Sequence, residues 1–316
     1  ASAVAGGFSM LYNCGIRIPH GGIFVLPLIA HPFRYIVALL AGSLCGAVIY
    51  GFFKEIGEEW YEIYIFDIDG TLTDNTTGKI VPSAQEALDK LQENGNFVAI
   101  ATGRAYYKAK NFLKEVGLNN MVCNGGNGLV INHQLVKNAP LDRQKALAVI
   151  DEAENLGYGI LIAPFDSIDV YSKNTLFLKQ AGYRKEPTRY TIDSEINYHN
   201  LENIYKIYIS IPASEETRLT LKDTLGSLRF EQEYLMFQPD DKKQGIVDMI
   251  AMIKGNIDDV VVFGDDYNDL VMFDERFYRI AMGNACDELK AKADYITDRN
   301  TSDGIYNACR VHGWIK

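Results

Sequence analysis

The sequence predicts an α/β fold: a doubly wound parallel, Rossmann-like core with an inserted α+β cap domain, preceded by an N-terminal membrane helix fragment. Three observations lead there. From residue 61 onward, short apolar runs alternate with amphipathic helical stretches, the pattern of a parallel sheet covered by helices. Between residues 129 and 238 that alternation gives way to strand-rich sequence with fewer crossovers. Ahead of both, residues 35–53 contain no charged side chain.

Composition narrows the class. A length of 316 residues suggests about two domains of roughly 150 residues each, ample for a sizeable core. Hydrophobic content of 47% with 23% charged residues places the chain among globular proteins. The formal net charge of −10 argues against a nucleic-acid backbone as partner. Cys14, Cys45, Cys123, Cys286 and Cys309 are scattered and form no CxxC pair. That set fits a reducing cytosol better than a disulfide framework, and it offers no metal site of the Cys/His type. The chain opens on Ala1, so its start is expected upstream.

Residues 1–54 differ from the rest. They are poor in acid and rich in Gly, Ala, Ile and Leu. The 19 uncharged positions 35–53, flanked by Arg34 and Lys54, would make a helix of about 28 Å, close to the roughly 30 Å hydrocarbon core. Gly42 and Gly46 form a small-xxx-small pair suited to close helix packing. A buried soluble helix is the alternative; length favours the membrane span. Upstream, the run RIPHGGIFVLPLI (Arg17 to Ile29) reads as a re-entrant membrane segment. Together with the following Ala/Gly/Ile-rich helix, it resembles the carboxyl-terminal end of the fructose-family permease subunit of the sugar phosphotransferase system. Most of such a permease lies outside this chain, so transport by this polypeptide is not expected. His20 is at most a relic of a substrate-path loop. Residues 55–60 are a polar linker containing Glu55, Glu58 and Glu59.

The core is expected over 61–128 and 239–316, and the cap over 129–238. Ile63, Tyr64, Ile65 and Phe66 form a buried strand closed by Asp67, where open α/β sheets hold ligands. Gly70 permits a sharp turn after Asp69, and Thr71 with the following amides can cradle an anion. A helix begins near Ser83, a candidate N-cap with Glu86 three residues on. Phe97 to Ala101 is the next strand, ending in Thr102-Gly103-Arg104. A helix over about 105–116 and a strand over 121–123 lead to Asn124-Gly125-Gly126-Asn127-Gly128, a loop read equally as hinge or substrate contact. The cap should carry strands at 129–131, 159–162, 204–209 and 230–237, with helices near 142–156 and 214–225. The core resumes with a helix from Lys242 to about Ile253 and a strand over 260–263 ending in Gly264-Asp265-Asp266-Tyr267-Asn268-Asp269. Short strands follow at 278–282 and 295–297.

Four strands thus end in chemistry: Asp67 and Asp69, Thr102, the Asn124 loop, and Asp265 with Asp269. Carboxylates converge in this number only if a cation balances them, and hard oxygen donors with few histidines point to Mg²⁺. A carboxylate, Mg²⁺, a hydroxyl and a lysine around an open position form a phosphoryl-transfer site.

The motifs FDIDGTL, ATGR, KKQGI, FGDDYND and AMGNACDELKAKADYIT…DGI, in this order, resemble the haloacid dehalogenase superfamily in its Cof-like branch, with a type IIB cap. The resemblance covers about residues 62–316. It implies that Asp67 is the nucleophile and Asp69 the general acid and base, while Thr102 binds phosphoryl oxygens and a lysine neutralises charge. Lys242 is preferred for that lysine, with Lys243 as the alternative. Thr71, Thr102, Gly103, Asn124, Lys242 and Asn268 are the implied substrate contacts. Asp67, Asp265 and the Asp69 backbone carbonyl are the implied Mg²⁺ ligands, with Asp269 completing the shell. Dehalogenases of this superfamily lack an acid at the Asp69 position, so Asp69 favours phosphate-ester cleavage.

The expected function is a Mg²⁺-dependent phosphatase of small phosphorylated metabolites, sugar phosphates first, working through an aspartyl-phosphate. A phosphosugar mutase and a component of a phosphotransferase-system permease are the alternatives. The catalytic part is expected in the cytoplasm, anchored to the cytoplasmic membrane if residues 35–53 span it.

Overall fold

The computed structural model describes residues 62–229 and 231–316. The permease-like fragment, the 35–53 span and the 55–60 linker lie outside the described residues. Among the described residues no helix is long and apolar enough to cross a membrane.

The chain opens with β1 (Ile63–Phe66), α1 (Pro82–Glu93), β2 (Phe97–Ala101), α2 (Tyr106–Glu115) and β3 (Asn120–Cys123). A hairpin of β4 (Gly128–Ile131) and β5 (Gln134–Asn138) follows. The insertion runs through α3 (Arg143–Asn155), β6 (Ile160–Ala163), β7 (Asp169–Ser172), α4 (Leu176–Ala181), β8 (Arg189–Ile192), β9 (Lys206–Ile209), β10 (Ser227–Leu228) and β11 (Leu235–Phe237). The chain then returns with α5 (Lys242–Ile253), β12 (Val260–Gly264), β13 (Tyr278–Ala281), α6 (Asp287–Lys292), β14 (Tyr295–Ile296) and α7 (Gly304–Val311).

The first sheet has eight strands in the order β14-β13-β12-β1-β2-β3-β4-β5. From β14 to β3 every pairing is parallel, and the β4–β5 hairpin closes one edge antiparallel. Strand β1 shows why its sequence is apolar throughout. Tyr64 and Phe66 enter the core built with α1, α2 and α7, while Ile63 and Ile65 enter the opposite core under α5 and α6. Chain order reverses between β1 and β12, so their carboxyl ends flank a crevice at a topological switch point.

The second sheet, β10-β11-β9-β6-β7-β8, belongs to the insertion and is antiparallel except for β7 with β8. Its strands alternate faces: Ile160, Ile162, Ile207 and Ile209 pack with α3, while Leu161, Ala163 and Tyr208 join Phe177 of α4.

Several expectations change. Residues 129–131, placed by sequence in the cap, pair with β3 through the tight Asn124–Gly126 turn and so belong to the first sheet. The chain leaves that sheet only after Asn138 and returns to it after Phe237. The helix expected near 214–225 is two 3-10 turns, Ala213–Arg218 and Lys222–Thr224. Glu152 of α3 accepts hydrogen bonds from the Thr220 and Leu221 amides, which takes those donors out of a helical ladder. Helix α1 starts from Val81 with Pro82 in its first turn, so Ser83 sits inside the helix and its hydroxyl makes no capping bond. Proline supplies a fixed φ and lacks only an amide that needs no partner there.

Candidate active site

Asp67 ends β1 and is buried. Its amide donates to Phe263 O, which ties the strand end to β12. Helix α5 brings Lys242 to it. Asp241 caps that helix by accepting from the Gln244 amide, which fixes Lys242 as the first helical residue. Lys242 is fully buried, and its Nζ donates to Asp67 Oδ1 and to Asp269 Oδ1, each at 2.7 Å. Lys243, the sequence alternative, points away and pairs with Asp274 at 3.4 Å.

Asp269 is held completely. Its second oxygen accepts from the Asp265 amide at 2.9 Å and the Asp266 amide at 3.2 Å, part of a capping box over the turn after β12. Asp265 is held from two sides: Thr71 Oγ1 donates to Oδ1 at 2.8 Å, and Asn284 Nδ2 donates to Oδ2 at 3.3 Å. Asn284 also donates to Gly70 O at 2.9 Å, and the Asn300 amide donates to its Oδ1. Gly70 has φ +87°, and a Cβ there would stand 2.1 Å from Asp265 Oδ2, so only glycine fits the turn.

Carboxylate oxygens of Asp67, Asp265 and Asp269 lie within 4.8 Å of one another, all buried. Burial raises the Asp67 carboxyl well above the usual carboxylate range, and Asp269 adds to it against the pull of Lys242. Asp265 is pushed up to about 7, chiefly by burial. Burial opposes the charge on Lys242, but Asp269 and Asp67 outweigh it and raise its pKa. One ammonium against three acids leaves an excess of negative charge. A hard divalent cation with oxygen preference fits that donor set, and Asp67 and Asp265 have oxygens to offer it. Both Asp269 oxygens are already engaged by protein donors.

The remaining expected residues fall around this cluster. Thr102 is buried at the end of β2, and its oxygen accepts from the Arg104 amide at 3.1 Å. Gly103 lies against Gln238, whose Nε2 would be 3.6 Å from a Cβ at that glycine. The Thr71 hydroxyl is engaged on Asp265, so any anion contact at that position falls to the backbone. Asn124 is buried with its Oδ1 unpartnered, and Asn268 Oδ1 is likewise buried without a partner. The Asp69 carboxylate is exposed and stands outside the acid cluster. Arg104 holds it through both oxygens, Nε donating to Oδ2 at 3.0 Å and Nη2 to Oδ1.

Arg104, Asn284, Asn300 and Gln238 are therefore residues around the site that sequence reasoning did not name as site residues. Arg104 and Asn284 stood inside quoted motifs, ATGR and AMGNACDELKAKADYIT. Nothing local marks Asn300 or Gln238, which reach the site only through the fold.

Residues 64–309 match the family profile described as haloacid dehalogenase-like hydrolase. Among curated proteins, YkrA of Bacillus subtilis (strain 168), which carries a phosphatase name without a stated substrate, is 27% identical over 81% of this chain and 99% of its own length. YwtE of the same organism, named as a 5-amino-6-(5-phospho-D-ribitylamino)uracil phosphatase, is 26% identical over 76% of this chain and 93% of its own length. A solved structure of a protein from Geobacillus kaustophilus HTA426 superposes with a TM-score of 0.67 at 27% identity, covering 80% of this chain and 99% of that one. The structure of the subclass IIB sugar phosphatase BT4131 shares the fold, with a TM-score of 0.63 at 23% identity over 80% of this chain and all of that one. On the profile match and these near full-length relatives, the chain belongs to the haloacid dehalogenase-like hydrolases and is a phosphoric monoester hydrolase.

Proposed function

We propose that the chain is a Mg²⁺-dependent phosphatase of small phosphorylated metabolites, sugar phosphates foremost, acting through a phosphoryl group carried on Asp67. The observation that carries this reading is the contact of Lys242 with both Asp67 and Asp269 at 2.7 Å. It aims one Asp67 oxygen at the ammonium and fixes the carboxylate at the mouth of the crevice.

An Asp67 oxygen bonds to phosphorus as the bond from phosphorus to the ester oxygen breaks, and the departing alkoxide takes a proton from Asp69. Asp69 then removes a proton from water, whose oxygen bonds to phosphorus as the Asp67–phosphorus bond breaks. To do either, Asp69 must exchange its Arg104 contacts for the leaving oxygen or the water. Thr102 retains a hydroxyl proton to donate to a phosphoryl oxygen, and Lys242 offsets charge on Asp67 as it is transferred. A Mg²⁺ ion held by Asp67 and Asp265 supplies Lewis-acid neutralisation of the phosphoryl oxygens when bound. The similarity to YwtE, named as a phosphatase of a phosphorylated ribityl compound, supports a phosphorylated polyol as the kind of substrate.

Asp67→Asn keeps the shape and removes the nucleophile. It should lower kcat by about three orders of magnitude or more with the melting transition still cooperative. Turnover in ¹⁸O-labelled water should place label in the released phosphate. Retention of the phosphoryl group on the sugar instead would make the enzyme a mutase. Residues 35–53 are proposed to partition into membrane, with the catalytic part on the cytoplasmic side.

A further inference from the structure

The cleft between the insertion and the parallel core is lined by Asn124 and Tyr107 from the core and by Asp166, Arg184, Lys206 and Tyr208 from the insertion. Its charges do not cancel. Glu186 is engaged by Lys108 and, at 2.6 Å, by Arg184 Nη2. Asp166 accepts from Asn138 Nδ2 at 2.9 Å. Arg184 is fixed in place, its guanidinium stacked 4.0 Å from the Tyr208 ring centre and its Nη1 on Thr188. That leaves Lys206, which among the described residues has no carboxylate within ion-pair distance and donates only to the neutral Gln238 Oε1 at 2.7 Å. Burial is the first cause that pushes its pKa down to about 8, with Lys108 and Arg184 adding to it against Glu186 and Asp166. Arg184 Nε in the same cleft is a buried donor without a partner.

One acceptor is also unmet. Asn138 gives its Nδ2 to Asp166, so its Oδ1 faces Asn124 and takes the Asn124 Nδ2. This fixes the Asn124 amide with its buried, unpartnered Oδ1 as an acceptor for a hydroxyl. The cleft adjoins the phosphoryl site directly. The Asn124 amide donates to Arg104 O, and the Gln238 that Lys206 holds lies over Gly103.

We propose that the leaving group of the substrate is a hydroxylated carbon chain bearing a second anionic group, a carboxylate or a second phosphate, which Lys206 recognises while Asn124 Oδ1 accepts a hydroxyl. The inference rests on the phosphatase reading of the Asp67 site and specifies its substrate class. A lone ammonium facing a cleft is costly unless a ligand brings the opposite charge, and a charge-assisted hydrogen bond then discriminates acid from alcohol.

The test compares matched substrates. In the carboxylate arm, 6-phosphogluconate is set against glucitol 6-phosphate, which differs in one carboxylate. In the phosphate arm, fructose 1,6-bisphosphate is set against fructose 6-phosphate. In one arm the anionic member should be favoured by about 10- to 100-fold in kcat/KM. That ratio should fall to near one in Lys206→Met and Lys206→Gln. A structural role for Lys206 would lower both rates and leave the ratio unchanged. Equal or better use of the neutral members by the wild-type enzyme in both arms overturns the inference, even if neither variant folds. So does a preference that survives both substitutions. In either case the phosphatase reading stands, because the neutral esters are still hydrolysed. If no phosphomonoester is hydrolysed at all, the phosphatase reading falls and this inference with it.

Discussion

Lys242 sits between two acids that would repel each other without it. Removing it leaves Asp67 and Asp269 buried without their counter-charge, an arrangement that costs about 3–5 kcal/mol when one partner of a buried pair is deleted. Lys242→Met should therefore lower the denaturation midpoint and abolish turnover, while Lys243→Met, on the half-exposed side of the helix, should stay within about twofold of wild type. Urea titration and kcat of both variants check this. The acid cluster makes a second prediction at this scale. Saturating Mg²⁺ should raise Tm by about 5 °C or more, because a ligand of the folded state alone stabilises it, and Asp265→Asn should remove most of that shift. Asp67 and Asp265 were legible in the sequence because each follows an apolar strand, a position where open sheets hold ligands. Lys242 was preferred over Lys243 there because Lys242-Lys243-Gln244-Gly245 fits the Lys-x-x-Gly form of the family's lysine motif, with Lys243 adjacent. The Asp241 cap decides which one is the first helical residue. Arg104, Asn284 and Asn300 escaped notice because their partners, Asp69, Asp265 and Thr73, lie far off in sequence.

At the scale of elements, α5 is the lever that sets the lysine. Its Gly245 lies against the Asn124–Gly126 turn so closely that a Cβ would stand 2.6 Å from Val122 Cγ1 and 2.8 Å from the Gly126 Cα. Gly245→Val should push the helix off the sheet, costing about 1–3 kcal/mol as overpacking does, and should lower kcat because Lys242 moves with the helix. Calorimetry and steady-state rates measure the two effects; a stable, fully active variant would mean that the helix position does not set the site. The parallel strands of the core were readable as short apolar runs, since both of their faces are covered. Residues 129–238 were read less well. Strand β5, the edge of the first sheet, exposes most of its side chains and carries no buried face to reveal it. The 214–225 segment has helical composition, yet Glu152 captures its amides. A contact of that kind is invisible until α3 and the segment are brought together.

At the scale of the whole molecule, all site residues lie at or after Asp67, within the compact unit spanning Trp60–Lys316. A chain beginning near Glu55 should therefore fold and keep kcat/KM within about twofold of the full chain. The full chain should float with liposomes while the shortened one stays in the soluble fraction, as the length of the uncharged run 35–53 predicts. Loss of activity in the shortened chain would move the domain boundary upstream. The insertion joins the core by two crossings, 139–142 and 238–241, and the cleft between insertion and core is lined on the core side by Ala105, which follows the Thr102–Arg104 turn. In the proposed mechanism one lobe chooses the leaving group while the other holds the phosphoryl acceptor, and that mechanism stands or falls on the acceptor being Asp67. The direct measurement is acid quench of the Asp69→Asn variant with a turned-over phosphomonoester, followed by peptide mass spectrometry. A phosphoryl group on Asp67, labile to hydroxylamine, is the predicted result. Hydrolysis that proceeds with Asp67 never phosphorylated, or with the phosphoryl group on another residue, would contradict the account.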